Sequence, residues 1–263
     1  MCMRLTPDTR IKLSQIKDFP LWHKFTLIIN DAKRNQKRVP KGNSHGGEFA
    51  REYNSDFNSV KKNLTKKSKE IEKTLSKSEK RAIIDYTIDS EDINKYARGE
   101  RIDPSKLSDV QKKVDALDSA LKKSTVGENI KVYRTLNTSD INKIIPIKDC
   151  NINEIPKSSR NLYLNRYLEN SQITSPQKGY LSTTISPLYE MVKPKKNKTH
   201  VKYKINVPHE AQGLFIANLS KHPHQEELLI LRGYDLDIKR IKYNAINDSY
   251  ELEADIILKE KEK

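Results

Sequence analysis

The spacing of apolar residues changes once along the chain. Up to about residue 123 they recur at helical intervals; beyond Gly127 they alternate with polar residues or form short unbroken runs. Leu21, Phe25, Ile28 and Ile29 predict a helix around Phe19 to Ala32. Residues 60–80 are lysine-rich and read as helical or partly disordered. A clear helix starts at LSKSEKRAIIDYT. Ser76 and Glu79 have capping-box spacing there, which satisfies free N–H groups at a helix start. Ala82, Ile83 and Tyr86 supply its apolar positions. A short helix around Ser90 to Ala97 follows, with Gly99 placed to end it. A third is expected from Pro104, a residue suited to a first helical position, to about Lys123. Its Leu107, Val110, Val114, Leu117 and Leu121 form an amphipathic stripe.

After Gly127 seven stretches read as short strands: 131–136, 179–186, 201–207, 214–219, 227–233, 234–243 and 250–258. Asn247-Asp248 is a turn between the last two. Helices first and strands after predict an α+β fold, a helical lobe followed by a mostly antiparallel β core.

One strand has an unusual start. In HPHQEELLILRG, the polar cluster His222 to Glu227 runs directly into Leu228–Leu231. Four apolar residues suit a buried strand, and a polar group at its mouth is held rigidly while staying accessible. Two more polar sites lie on strands. Arg134 sits in KVYRTL between Val132 and Leu136, where a buried guanidinium calls for an anionic partner. Ser182, Thr183 and Thr184 lie in GYLSTTIS, where hydroxyls can brace a carboxylate. Each has an ordinary alternative: a structural salt bridge for Arg134, β-forming residues for the hydroxyls, a solvated loop for the carboxylates.

Composition narrows the options. Two cysteines, Cys2 and Cys150, argue against a disulfide framework, and neither they nor the six histidines have metal-ligand spacing, so no metal is expected. The first residues lack an apolar signal core, and no apolar run approaches a membrane span of roughly 20 residues. The expectation is a protein made in the cytoplasm. Net charge is +15, and residues 1–80 hold 19 Lys/Arg against 9 Asp/Glu. Such a basic segment favours polyanions. Within it, residues 37–53 form a Gly/Pro loop that is not a P-loop, because no GK[ST] follows. Arg38, Pro40, Gly42, Gly46 or Gly47, and Phe49 resemble a short element of tailed-phage head-associated proteins.

Taken in order, the arginine, the hydroxyl triplet and Gln225-Glu226-Glu227 resemble the motifs R, S-T-S and E/Q-x-E of the arginine-type mono-ADP-ribosyltransferase toxins. The likeness covers roughly residues 70–258. It extends to Tyr86-Thr87, to Ile93-Asn94 followed by Arg98, and to E-L-L-I-L-R-G, similar to the family's E-V-L-L-P-R-G. Thr184 stands where the family has a serine, and Ala97 where its helix motif has Leu. The resemblance implies a two-sheet β core in a domain over residues 70–263, preceded by a basic arm over residues 1–69. It implies NAD as substrate. Glu227 is then the catalytic carboxylate, Ser182 orients it, and Gln225 faces the acceptor. Arg134 holds the pyrophosphate with Asn94 and Arg98. Thr183, Thr184, Tyr180 and Phe215 complete the NAD site, although core packing is the commoner use for the last two. If Gln225 and Glu227 lie two apart on a strand they share a face, and Glu226 points away and is dispensable.

The implied activity is transfer of ADP-ribose to a macromolecule, a protein side chain ahead of nucleic acid. The resemblance places His222 and His224 in the loop that family members use to read the acceptor, although surface loop histidines are the more common outcome. The phage-like element adds the expectation of a virion-carried enzyme delivered to a host. Three rivals remain: an NAD glycohydrolase on the same fold, transfer to nucleic acid, and a non-enzymatic nucleic-acid- or capsid-binding protein.

Overall fold

The computed structural model describes residues 56–148, 150–188 and 192–258. The expected helix around Phe19 to Ala32 and the element from Arg38 to Phe49 lie outside the described residues. Five α-helices are described: α1 (Phe57–Glu72), α2 (Lys77–Ile88), α3 (Glu91–Ala97), α4 (Leu107–Lys122) and α5 (Arg160–Asn170). Eight strands follow or interleave with them: β1 (Ile130–Thr138), β2 (Ile173–Pro176), β3 (Leu181–Thr184), β4 (Thr199–Val207), β5 (Gly213–Phe215), β6 (Glu227–Ile230), β7 (Asp235–Asn244) and β8 (Ser249–Ile257).

Local chemistry sets the helices. The Asp56 side chain accepts from Ser59 N at 3.3 Å and caps α1. Val60, Leu64 and Ser68 recur every four residues on its buried face. The boundary expected between residues 69 and 70 falls inside this helix. The capping box of α2 is present in both halves: Ser76 Oγ accepts from Glu79 N at 3.2 Å, and Glu79 Oε2 accepts from Ser76 N at 2.7 Å. Gly99, at φ +74°, takes the left-handed conformation that turns the chain after α3. Helix α4 starts at Leu107, three residues later than Pro104 suggested, and its first stripe residue, Leu107, is exposed while Val110, Val114, Leu117 and Leu121 are buried.

The strands form one sheet in the order β2-β7-β8-β4-β1-β3-β6-β5, antiparallel except for the β4–β8 pair. The expectation of two sheets is replaced by a single one with a narrow waist. Strands β1 and β3 meet at one residue pair, Tyr133 and Thr184, whereas β1 and β4 pair along nine. The three-stranded part, β3-β6-β5, carries both the hydroxyl triplet and the carboxylate.

That part is covered on both faces. Leu228, Ile230 and Phe215 join the core under α1 and α5, while Leu229, Leu231, Leu214 and Tyr180 join the core under α2, α3 and α4. A strand buried on both sides reads as an unbroken apolar run, which is what Leu228–Leu231 shows. No helix among the described residues is long and apolar enough to cross a membrane.

Candidate active site

Glu227 is the first residue of β6 and is 3% exposed. Ser182, on the neighbouring β3, donates its hydroxyl hydrogen to Glu227 Oε1. Thr184 lies opposite Glu227 in the ladder. Burial pushes the Glu227 carboxyl above the usual carboxylate range, while the Ser182 hydrogen bond and the positive charge of Arg134 pull it back. The outcome is a desolvated carboxylate with one short-range donor and one cation acting on it.

The other two hydroxyls of the triplet face inward. Thr183 donates to Leu228 O at 2.7 Å across the strand pair, and Thr184 Oγ1 accepts from Ser186 N at 3.1 Å. Both are fully buried and fix the β3–β6 pairing and the turn that leaves β3.

Arg134 sits on β1, half-buried, and its Nη1 is buried with no hydrogen-bond partner among the described residues. Its charge acts on Glu227, Tyr86 and Tyr203. A buried guanidinium nitrogen without an acceptor is costly in a folded chain and suits an anionic ligand group.

Asn94 and Arg98, one turn apart at the end of α3, face the approach to β3. Asn94 Nδ2 donates to Tyr86 Oη at 3.1 Å, and Asn94 Oδ1 accepts from Tyr180 N at 3.1 Å. Arg98 pairs with Glu100, Nε to Oε1 at 2.5 Å. Gly179 makes this close approach possible: a Cβ there would stand 2.9 Å from Asn94 Oδ1 and 3.6 Å from Arg98 Nη1. Tyr86 is buried, and its hydroxyl is pushed up to about 12 by burial and then by the Glu227 charge. It therefore stays protonated beside the carboxylate. Gly179 and Tyr86 were not singled out as site residues in the sequence; GYLSTT and the Tyr86-Thr87 pair held the signal.

Phe215 and Tyr180 take the core-packing alternative, and Gln225 leaves the strand. Phe215 pairs with Leu228 and packs in the core on the sheet face opposite Leu229, away from Glu227. Tyr180 is buried, and its hydroxyl donates to Asp118 Oδ1 at 2.6 Å. Arg232 completes that contact with a two-pronged pair to Asp118, at 3.0 and 2.8 Å, which ties α4 to the segment after β6. Gln225 does not lie on β6. Pro223–Gln225 form a single 3-10 turn, and Glu226 follows with φ +49°. The alternation argument for Gln225 and Glu227 therefore fails, because Pro223 starts a turn that ends only at Glu226. Gln225 is half-buried on that turn, with the exposed His222 and His224 beside it. Among the described residues no group of three or more His, Cys, Asp or Glu is placed to hold a metal ion.

A family model described as ADP-ribosyltransferase exoenzyme matches residues 61–260. The "Epidermal cell differentiation inhibitor" of Staphylococcus aureus is 28% identical over 178 residues, 64% of this chain and 69% of that protein. The fold is similar to that of Plx2a, an ADP-ribosyltransferase toxin from Paenibacillus larvae, with a TM-score of 0.59 and 24% identity over 80% of this chain and 100% of that one. It is also similar to C3stau2 from S. aureus, solved with NAD, with a TM-score of 0.56 and 23% identity over 81% of this chain and 100% of that one.

Proposed function

The chain belongs to the ADP-ribosyltransferase exoenzyme family, and from that premise we propose that it cleaves NAD and passes ADP-ribose to a side chain of a protein. The observation that carries the reading is the buried Glu227 carboxylate, held by Ser182 and within the field of Arg134.

NAD is a substrate here, and the residues present fit it. Arg134, with a buried nitrogen lacking a partner among the described residues, matches the pyrophosphate, and Asn94 and Arg98 stand over Gly179 at the mouth of β3. Breaking the bond from the ribose C1′ to nicotinamide sends the bonding pair to nicotinamide and leaves positive charge on the ribose. Glu227 opposes that charge in a site from which water is largely excluded, where a fixed carboxylate acts strongly. Ser182 fixes the orientation of the carboxylate. The acceptor then forms the new bond to C1′ and loses a proton. Gln225, an amide with both donor and acceptor atoms, suits a neutral amide on the acceptor better than a guanidinium.

The likeness of Arg38–Phe49 to a phage-head element supports a further part of the proposal, an enzyme made in the cytoplasm, carried in a virion and delivered to a host. Its absence from purified virions would remove that part and leave the enzyme untouched. The basic residues 1–80 are proposed to contact a polyanion.

The test is incubation of the protein with adenylate-labelled NAD and cell lysate. Label in a protease-sensitive band is the expected result. Label in a nuclease-sensitive band would move the acceptor to nucleic acid, and nicotinamide release without labelled product would mark a glycohydrolase. Intact NAD in every lysate would overturn the reading.

A further inference from the structure

The segment that carries Gln225 is held from two helices. At its start, Lys221 N donates to Thr87 Oγ1 of α2 at 3.2 Å. At its end, Lys61 of α1 donates to Glu226 Oε1 at 2.5 Å, a contact between residues 165 apart in the chain. Glu226 stands between Gln225 and Glu227, and three features mark it. Its φ of +49° is a left-handed conformation that disfavours a side chain. Its side chain is 14% exposed, and Oε2 is buried with no hydrogen-bond partner among the described residues. Its backbone joins two elements: the amide donates to Pro223 O at 3.2 Å, closing the turn, and the carbonyl accepts from Ile185 N at 3.3 Å, just beyond β3.

A strained backbone and a mostly buried charge both cost free energy and persist where their surroundings enforce them. Here two backbone hydrogen bonds hold the turn, and the Lys61 ammonium meets the charge at 2.5 Å. We infer that Lys61 and Glu226 are a positioning pair that locks the 3-10 turn and aims Gln225 at the acceptor, so that α1 is part of acceptor recognition. Glu226 is therefore not dispensable, as a simple strand would have made it. The inference rests on the transferase reading of the site. An exposed ion pair would contribute little, and Lys61 is 46% exposed. The asymmetry decides the matter, because removing Lys61 leaves the shielded Glu226 carboxylate without its cation.

The pair acts on the acceptor side of the reaction and not on Glu227, which separates it from a merely structural contact. Nicotinamide release and label transfer from labelled NAD to soluble lysate protein are measured together for wild type, Lys61→Met, Lys61→Arg and the exchanged pair Lys61→Glu with Glu226→Lys. Lys61→Met keeps the stem and removes the charge. It is expected to lower transfer relative to nicotinamide release by about tenfold, with Lys61→Arg and the exchanged pair recovering most of the loss. Hydrogen exchange at residues 221–226 is expected to quicken in Lys61→Met alone. An unchanged ratio of the two activities, or equal loss of both, overturns the inference, as does unchanged exchange in that segment. Wild type that leaves NAD intact would instead overturn the transferase reading. If wild type releases nicotinamide but labels nothing, the exchange measurement alone decides.

Discussion

Ser182 holds Glu227 from two positions along the neighbouring strand, although Thr184 is the residue directly opposite. The two hydroxyls divide the work: Ser182 donates to the carboxylate, and Thr184 accepts from the backbone of Ser186. A hydrogen bond to a charged group contributes roughly 1.5–3 kcal/mol. Ser182→Ala is therefore expected to lower kcat for nicotinamide release about 10- to 100-fold, with little change in the KM for NAD. Thr184→Ser, which keeps the hydroxyl, is expected to stay within about twofold of wild type.

The buried carboxyl of Glu227 ties activity and stability to pH in opposite directions. Activity needs the ionised form, so the acid limb of the pH–rate profile should lie above the ordinary glutamate value of about 4.3. For stability, a carboxyl raised on folding contributes fully below its unfolded pKa. That contribution is lost as pH rises through the folded one. Above that folded value the wild type carries an ionised group that burial disfavours. Glu227→Gln is expected to raise the Tm at pH 7, with the gain shrinking below about pH 4. Thermal melts at both pH values check this; a lower Tm at neutral pH would count against it.

Glu79 behaves in the opposite sense. Burial alone would raise its carboxyl, but Lys123, Ser119 and Ser76 together outweigh burial and hold it down at about 2. Stability from this group is present above the unfolded value and is lost as pH falls towards about 2. Glu79→Gln is expected to destabilise the fold by on the order of 3 kcal/mol at pH 7. The difference should narrow in acid, as read from urea unfolding at several pH values.

Gly179 tests the NAD side of the cleft. An added Cβ lands 2.9 Å from Asn94 Oδ1, so Gly179→Ala must displace the Asn94 side chain that accepts from the Tyr180 amide, while Arg98 stays at ordinary contact distance. Losing a contact of roughly 1–2 kcal/mol on substrate binding raises the KM for NAD about 5- to 30-fold. The core under α1 and α5 lies on the other sheet face, so the Tm is expected to fall little. Equilibrium binding of NAD and a thermal melt separate the two effects.

What the sequence made legible was local. The capping box of α2 and the turn at Gly99 are set by residues a few positions apart, and the unbroken run Leu228–Leu231 follows from two cores meeting on one strand. What it hid was long-range. Helix α5 buries only Arg160 and Leu164, and Arg160 is held by Ile155 O and the Tyr250 hydroxyl, so its short polar segment has little periodicity to find. Strand β2 is four residues long and takes its place from β7. The outward turn at Gln225 was signalled by Pro223, but the ion pair that fixes it joins two ends of the domain. Glu227, Ser182 and Arg134 stand out in the sequence as polar positions on apolar strands, and their roles come from the resemblance of their order to the R, S-T-S and E/Q-x-E motifs. Their convergence, like the inward turn of Phe215, is a property of the sheet.

The Glu227 carboxylate is proposed to drive cleavage of the nicotinamide–ribose bond. The most direct measurement is nicotinamide release from NAD by wild type, Glu227→Gln and Glu226→Gln, each first shown to be folded. Steady release by wild type is expected, with a fall of about 100- to 1,000-fold in Glu227→Gln and release by Glu226→Gln close to that of wild type. Glu227→Gln at the wild-type rate, or intact NAD with the wild type, would contradict that role.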